Sequence, residues 1–129
     1  FDGLSKALAG SATEYNATIF VETDDRVFGC SPDSLLDSDG GVEIKCCQPA
    51  NHVRYFLEGR LPLDYVQQVH GCIYATGRKW WKFCAYRRRF PSFVLTVERD
   101  EAICTKIKTA VNSFHEKLTA ALAKLRESK

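Results

Sequence analysis

From Ala102 onward, Ile103, Ile107, Val111, Phe114, Leu118, Leu122 and Leu125 recur every third or fourth residue, the repeat of one long amphipathic helix. Val66, Val69 and Ile73 repeat at the same interval between Pro62 and Gly77, which predicts a second helix from Leu63 to about Thr76. A shorter helix is expected over Asn51–Leu57, after Pro49 and before the interruption at Gly59. Elsewhere the period drops to that of strands. Trp80–Tyr86 and Ser92–Val97 alternate, Val42–Cys46 is a shorter strand, and Thr18–Val21 and Arg26–Cys30 flank the polar turn Glu22-Thr23-Asp24-Asp25. The pattern predicts an α/β fold: a mixed β-sheet that opens with a hairpin, flanked by helices, and a long C-terminal amphipathic helix.

With 129 residues, 45% of them hydrophobic, the chain suits one domain over 1–129. No apolar run approaches a membrane span and no signal-peptide pattern opens the chain, so a soluble cytoplasmic protein without a membrane partner is expected. The cysteines, Cys30, Cys46, Cys47, Cys72, Cys84 and Cys104, include no C-x-x-C pair, and Cys72 and Cys84 sit in apolar periodic segments. Reduced, mostly buried thiols fit this placement better than disulfides or a metal cluster. His52, His70 and His115 are too scattered to form a metal site with one another, and no histidine motif accompanies a cysteine to activate it.

The chemistry-bearing pattern is Pro32-Asp33 followed by Glu43-Ile44-Lys45. On an extended strand Glu43 and Lys45 project from one face while Val42, Ile44 and Cys46 project from the other, so one face is offered for chemistry and one for packing. The turn-rich Asp37-Ser38-Asp39-Gly40-Gly41 between them suits folding the Asp33 segment back against the Glu43 strand. Phosphodiester cleavage calls for this set. Two carboxylates hold a hard cation such as Mg2+, with Mn2+ as a substitute, and a lysine ammonium offsets charge on the phosphate.

The wider strings Gly29-Cys30-Ser31-Pro32-Asp33-Ser34-Leu35-Leu36 and Gly41-Val42-Glu43-Ile44-Lys45-Cys46 resemble the YqaJ-like viral recombinases, the family of bacteriophage lambda exonuclease. Tyr65-Val66-Gln67-Gln68-Val69 is similar to that family's glutamine-bearing helix, Trp80 to Tyr86 to its aromatic strand, and Val97-Glu98-Arg99-Asp100-Glu101 to a further motif. The motifs follow the family order from about residue 18 to the end. The resemblance implies a single PD-(D/E)xK nuclease domain with a restriction-endonuclease-like core, lacking part of the family's N-terminal region. It implies Mg2+-dependent 5′→3′ digestion of linear double-stranded DNA, producing single strands for recombination. Asp33, Glu43 and the backbone carbonyl of Ile44 would be metal ligands, Lys45 would act on the water, and Gln68 would complete the site. A homotrimer, a single-strand annealing partner and, for a phage-encoded protein, the host cytoplasm are implied as well. The chain departs from the family at Ser34 for a usual glycine, at Cys47-Gln48-Pro49 for a cysteine followed by proline, and at His70 for a second glutamine.

Charge is unevenly spread beneath a net +2: residues 1–77 carry −6 and residues 78–129 carry +8. A solvated helix surface accounts for Lys106, Lys108, Lys117 and Lys124. Arg87-Arg88-Arg89, between an aromatic strand and Phe90-Pro91, is placed where guanidinium groups can fork onto phosphates, and is the candidate DNA contact. Arg54, Arg60, Arg78 and Lys79 are weaker candidates. Trp80, Trp81, Phe83 and Tyr86 are expected in the core rather than stacked on bases. Two other classes share these residues: a restriction- or repair-type endonuclease, and a non-catalytic DNA-binding or assembly module.

Overall fold

The computed structural model describes residues 20–128 and the backbone of Thr13–Glu14. Its strands are β1 (Thr13–Glu14), β2 (Val21–Glu22), β3 (Gly29–Cys30), β4 (Ser34–Leu36), β5 (Gly40–Cys46), β6 (Trp80–Tyr86) and β7 (Phe93–Glu98). The helices are α1 (Pro49–Glu58), α2 (Leu63–Thr76) and α3 (Glu101–Glu127). This is the mixed α/β architecture expected from the pattern. None of the described helices is long and apolar enough to cross a membrane.

The main sheet runs β1-β4-β5-β6-β7. β5 and β6 are parallel, with Glu43 opposite Phe83 and Lys45 opposite Ala85, and the other pairings are antiparallel. A parallel pair requires a crossover, and α1 and α2 supply it. Helix α1 stops where Gly59 takes a left-handed φ of 63°, and α2 stops at Gly77 with φ 68°. Asp100 caps α3, its carboxylate accepting from the amides of Ala102 and Ile103 at 2.9 and 3.2 Å.

Two layers of core follow from strand alternation. On one face Trp81, Phe83 and Ala85 of β6 meet Tyr55 of α1, Val69, Cys72 and Ile73 of α2, and Cys104 of α3. On the other face Leu36, Val42 and Cys84 pack with Ile44, Trp80 and Val94. Gly40 and Gly41 stand opposite Trp80 and Trp81 in the parallel register, and a Cβ at either would overlap the facing indole. The two tryptophans thus occupy the faces of the sheet over glycines, as core residues.

Two details depart from the pattern. The early strands do not open the main sheet. Phe20, Val21 and the segment from Arg26 to Cys30 form instead a separate ribbon of β2 and β3, while Thr18 and Ile19 of the expected first strand lie outside the described residues. The reason is local: Thr23 and Asp25 spend their side chains on the turn backbone, Arg26 takes φ 60°, and each strand shrinks to two residues. Phe28 then turns onto Tyr74 of α2, ring centroids 5.7 Å apart, and seats the ribbon on the helix. Second, the Asp33 segment does not merely fold back; it becomes the strand β4, joined to β5 by a tight loop in which Asp37 takes φ 49°.

Candidate active site

The β4–β5 hairpin brings the two acids together. Asp33 immediately precedes β4, and its Oδ2 accepts a hydrogen bond of 2.6 Å from the Ile44 amide. The carboxylate is therefore held beside the backbone of the strand that carries Glu43. Arg78, at the start of the turn into β6, closes the hairpin loop by donating from Nη1 to the carbonyls of Leu36, Asp37 and Gly40 at 3.3, 3.0 and 2.8 Å. Arg78, by its sequence position a weak candidate for phosphate contact, is instead a structural staple of the site hairpin.

Glu43 is only 4% exposed, because its strand face lies under α2 rather than open to water. The face expected for chemistry is also the face of the main core. Glu43 Oε1 accepts from Lys45 Nζ and from Gln68 Nε2, both at 2.6 Å. Oε2 is buried with no partner among the described residues. Burial pushes the Glu43 pKa up; the Lys45 ammonium opposes this, the Asp33 charge adds to it, and the net shift is upward. A buried carboxylate oxygen without a donor is costly unless something cationic faces it. Lys45 is partly open, with 24% of its side chain exposed, and its ammonium lies 5.2 Å from the Tyr65 ring centroid.

Asp33, Glu43, Lys45 and Gln68 thus meet in one place, with the Ile44 backbone between the acids. Tyr65 joins them and was not read from the sequence as a site residue. It stands three residues before Gln68, on the same helix face, and that spacing is the signal that would have found it. Its ring packs on Phe83 at 5.1 Å and edge-on to Tyr55 at 6.2 Å, which fixes an aromatic wall against Lys45. The neighbouring Cys30 thiol of β3, burial and the nearby carboxylates hold the Cys72 thiol of α2 well above its ordinary range. Such a thiol is a packing group rather than a nucleophile.

The arginine triplet sits apart from the carboxylates but at the same end of the sheet, since Lys45 pairs with Ala85, two residues before Arg87. Arg87 donates to the Cys47 carbonyl at 2.9 Å and ties the ends of β5 and β6 together. Arg88 and Arg89 are exposed. A groove of about 280 Å³ runs between this loop and Cys46–Gln48. The histidines lie elsewhere: His52 is buried and donates from Nε2 to the Pro91 carbonyl at 2.7 Å, while burial lowers the pKa of His70.

The donor set suits a hard divalent cation. Two carboxylates and a carbonyl are oxygen ligands of the kind magnesium takes alongside water and phosphate, and the orphaned Glu43 Oε2 is a ligand atom in want of a charge.

Comparison with known proteins identifies the family. No curated protein matches the chain. Among solved structures, the alkaline exonuclease LHK-Exo from Laribacter hongkongensis superposes with a TM-score of 0.85 at 28% identity, covering 98% of this chain and 68% of that one. A structure of LHK-Exo in complex with dAMP gives a TM-score of 0.84 over the same shares, also at 28% identity. Residues 8–79 match the YqaJ-like viral recombinase domain, a span that includes Asp33, Glu43, Lys45 and Gln68. The chain belongs to the YqaJ-like viral recombinase family, a membership that implies a nuclease.

Proposed function

We propose that the chain is a magnesium-dependent exonuclease that digests linear double-stranded DNA from 5′ ends and leaves single strands for recombination. The observation that carries the reading is Glu43: a buried carboxylate with one oxygen paired to Lys45 and hydrogen-bonded by Gln68, and the other left without a donor among the described residues. Asp33, Glu43 and the Ile44 carbonyl would hold the cation. When bound, it supplies Lewis-acid polarisation of the phosphate and a water acidic enough to ionise near neutral pH.

The chain's own groups do the rest. Gln68 fixes the Glu43 carboxylate through a charge-assisted hydrogen bond, so that its second oxygen keeps one direction. The Asp33 carboxylate is fixed in the same way by the Ile44 amide. Lys45, partly exposed and backed by Tyr65, places its ammonium where charge grows on the phosphoryl oxygens. Arg88 and Arg89, exposed at the same end of the sheet, would meet the DNA backbone, with Arg87 holding their loop.

Attack at an end rather than within a duplex is supported by the likeness to LHK-Exo, an alkaline exonuclease of which one structure holds dAMP. A nucleoside monophosphate is what stepwise hydrolysis from an end releases. The deciding experiment incubates linear and covalently closed duplex with magnesium, beside Asp33→Ala and Lys45→Ala. Loss of linear DNA alone, abolished in both variants, is the expected result. Cutting of the closed circle would instead assign an endonuclease, and no metal-dependent cleavage of either form would leave a DNA-binding or assembly module.

A further inference from the structure

Helix α3 has two unlike halves. Up to Val111 its apolar positions are covered: Cys104 is buried and Ile103, Ile107 and Val111 are half-buried. From Asn112 to Glu127 every residue is exposed, over a little more than four turns. The apolar stripe nevertheless continues along this outer half. Phe114, Leu118, Leu122 and Leu125 are 65%, 42%, 41% and 65% exposed. A helical stretch of this length without tertiary contacts among the described residues is marginal in water, and its regular stripe of large side chains is the kind of surface that a partner covers.

From Lys106 onward the charges beside the stripe are of one sign. At about 100° per residue, Lys106, Lys117 and Lys124 line one border and Lys108 and Arg126 the other. Glu116 and Glu127 fall on the opposite side of the helix. Among the described residues none of these lysines forms an ion pair.

These borders choose the occupant. A second copy of α3 would bring its own basic borders against these, which is the like-charge arrangement that disfavours helix pairing. Duplex DNA would meet the lysines and leave the leucines wet. An amphipathic helix with acidic borders satisfies both features at once.

The stripe also leads into an anchor site. Between α2 and α3 lies an apolar groove of about 470 Å³ lined by Phe28, Gly71, Ile103, Ile107 and Val111, with Lys106 at its rim. A bulky side chain at one end of a docked helix would fill it.

We propose that the outer half of α3 and the adjoining groove form a docking surface for an acidic amphipathic helix of a partner protein. Its apolar stripe lies along Phe114, Leu118, Leu122 and Leu125, and its carboxylates face Lys117 and Lys124 on one border and Lys108 and Arg126 on the other.

The test uses the full chain and two labelled, stapled helical peptides of about three heptads with leucine at the a and d positions, one with glutamate and one with lysine at e and g. Fluorescence anisotropy should show the acidic peptide binding at least about tenfold more tightly at low salt, with the advantage shrinking as salt rises. Leu118→Asp should abolish binding while circular dichroism shows the helix intact. The triple variant Lys108→Glu, Lys117→Glu, Lys124→Glu should invert the preference toward the basic peptide, a readout that loss of folding cannot mimic. Equal affinity for both peptides or binding of neither would overturn the proposal. So would a self-associated form that Leu118→Asp dissolves, or duplex DNA displacing the acidic peptide from the lysine borders.

Discussion

Replacing Glu43 by glutamine separates what the carboxylate costs the fold from what it does for the cation. The side chain is 4% exposed and Oε2 has no donor, a defect worth about 1–3 kcal/mol when a buried polar group is left unsatisfied. Glutamine keeps an oxygen to accept from Lys45 and Gln68 and puts a neutral amide nitrogen where the desolvated charged oxygen stood, which still lacks a partner but costs less to bury than a charge. The ion pair lost with Lys45 offsets this by at most about 1 kcal/mol, since Lys45 is partly in water. The net expectation without metal is a gain of about 1 kcal/mol, or a rise in Tm of about 3–5 °C for a domain of this size.

The pH dependence has a definite sign. A carboxyl whose pKa is raised by folding binds its proton more readily in the native state, so the wild type loses stability as pH rises from the ordinary carboxylate range through the raised native value. The Tm gap in favour of Glu43→Gln should therefore be full at pH 8 and close as the pH falls through that window. Magnesium should then reverse the order. At about ten times its dissociation constant it stabilises the wild type by about 1.4 kcal/mol and the variant by much less. Differential scanning fluorimetry across pH, with and without magnesium, reads both effects. A variant less stable than wild type at pH 8 without metal, or equal stabilisation of both proteins by magnesium, would refute the reasoning.

Three further outcomes are expected. Arg78→Met removes the donor that three hairpin carbonyls share and should cost about 1–3 kcal/mol in urea unfolding, with a larger proportional loss of cleavage because the Asp33–Glu43 spacing depends on that hairpin; unchanged stability would contradict the staple. Gly41→Ala pushes a methyl into the fully buried Trp81 ring and should cost about 1–3 kcal/mol by overpacking, read in the same titration and in Trp fluorescence. Tyr65→Leu should lower kcat about three- to tenfold with little change in KM, whereas Tyr65→Phe keeps the ring and should stay near wild type; equal losses in both would mean that the ring is not what positions Lys45.

The long elements were legible because their hydrophobic period is unambiguous: α2 begins and ends where its flanking proline and glycine say, and β6 spans its alternating run. That Glu43 and Lys45 share a face followed from strand geometry alone. What sequence could not carry were facts that depend on distant chain. Ser34-Leu35-Leu36 is too short to display a period, so β4 emerges only from its pairing with β5. Glu43 reads as a surface residue by type, and its burial is imposed by α2 packing over it. Arg78 reads as a free cation until the loop of β4 and β5, some forty residues upstream, is folded against it.

The hairpin also says something about how the site assembles. Asp33 and Ile44 are eleven residues apart, with Glu43 inside that stretch and Lys45 just past it, whereas Gln68 comes from twenty-five residues beyond Glu43. Local contacts close fast and remote ones wait for the crossover to pack. During refolding the paired acids should therefore form as a short-range unit, exposed and still hydrated, before α2 arrives to bury them. Pulse-labelling hydrogen exchange would read this order as protection at the Ile44 amide ahead of the amides of α2. A site built this way gathers its charges while water still surrounds them and loses that water only when the last side chain, Gln68, swings in.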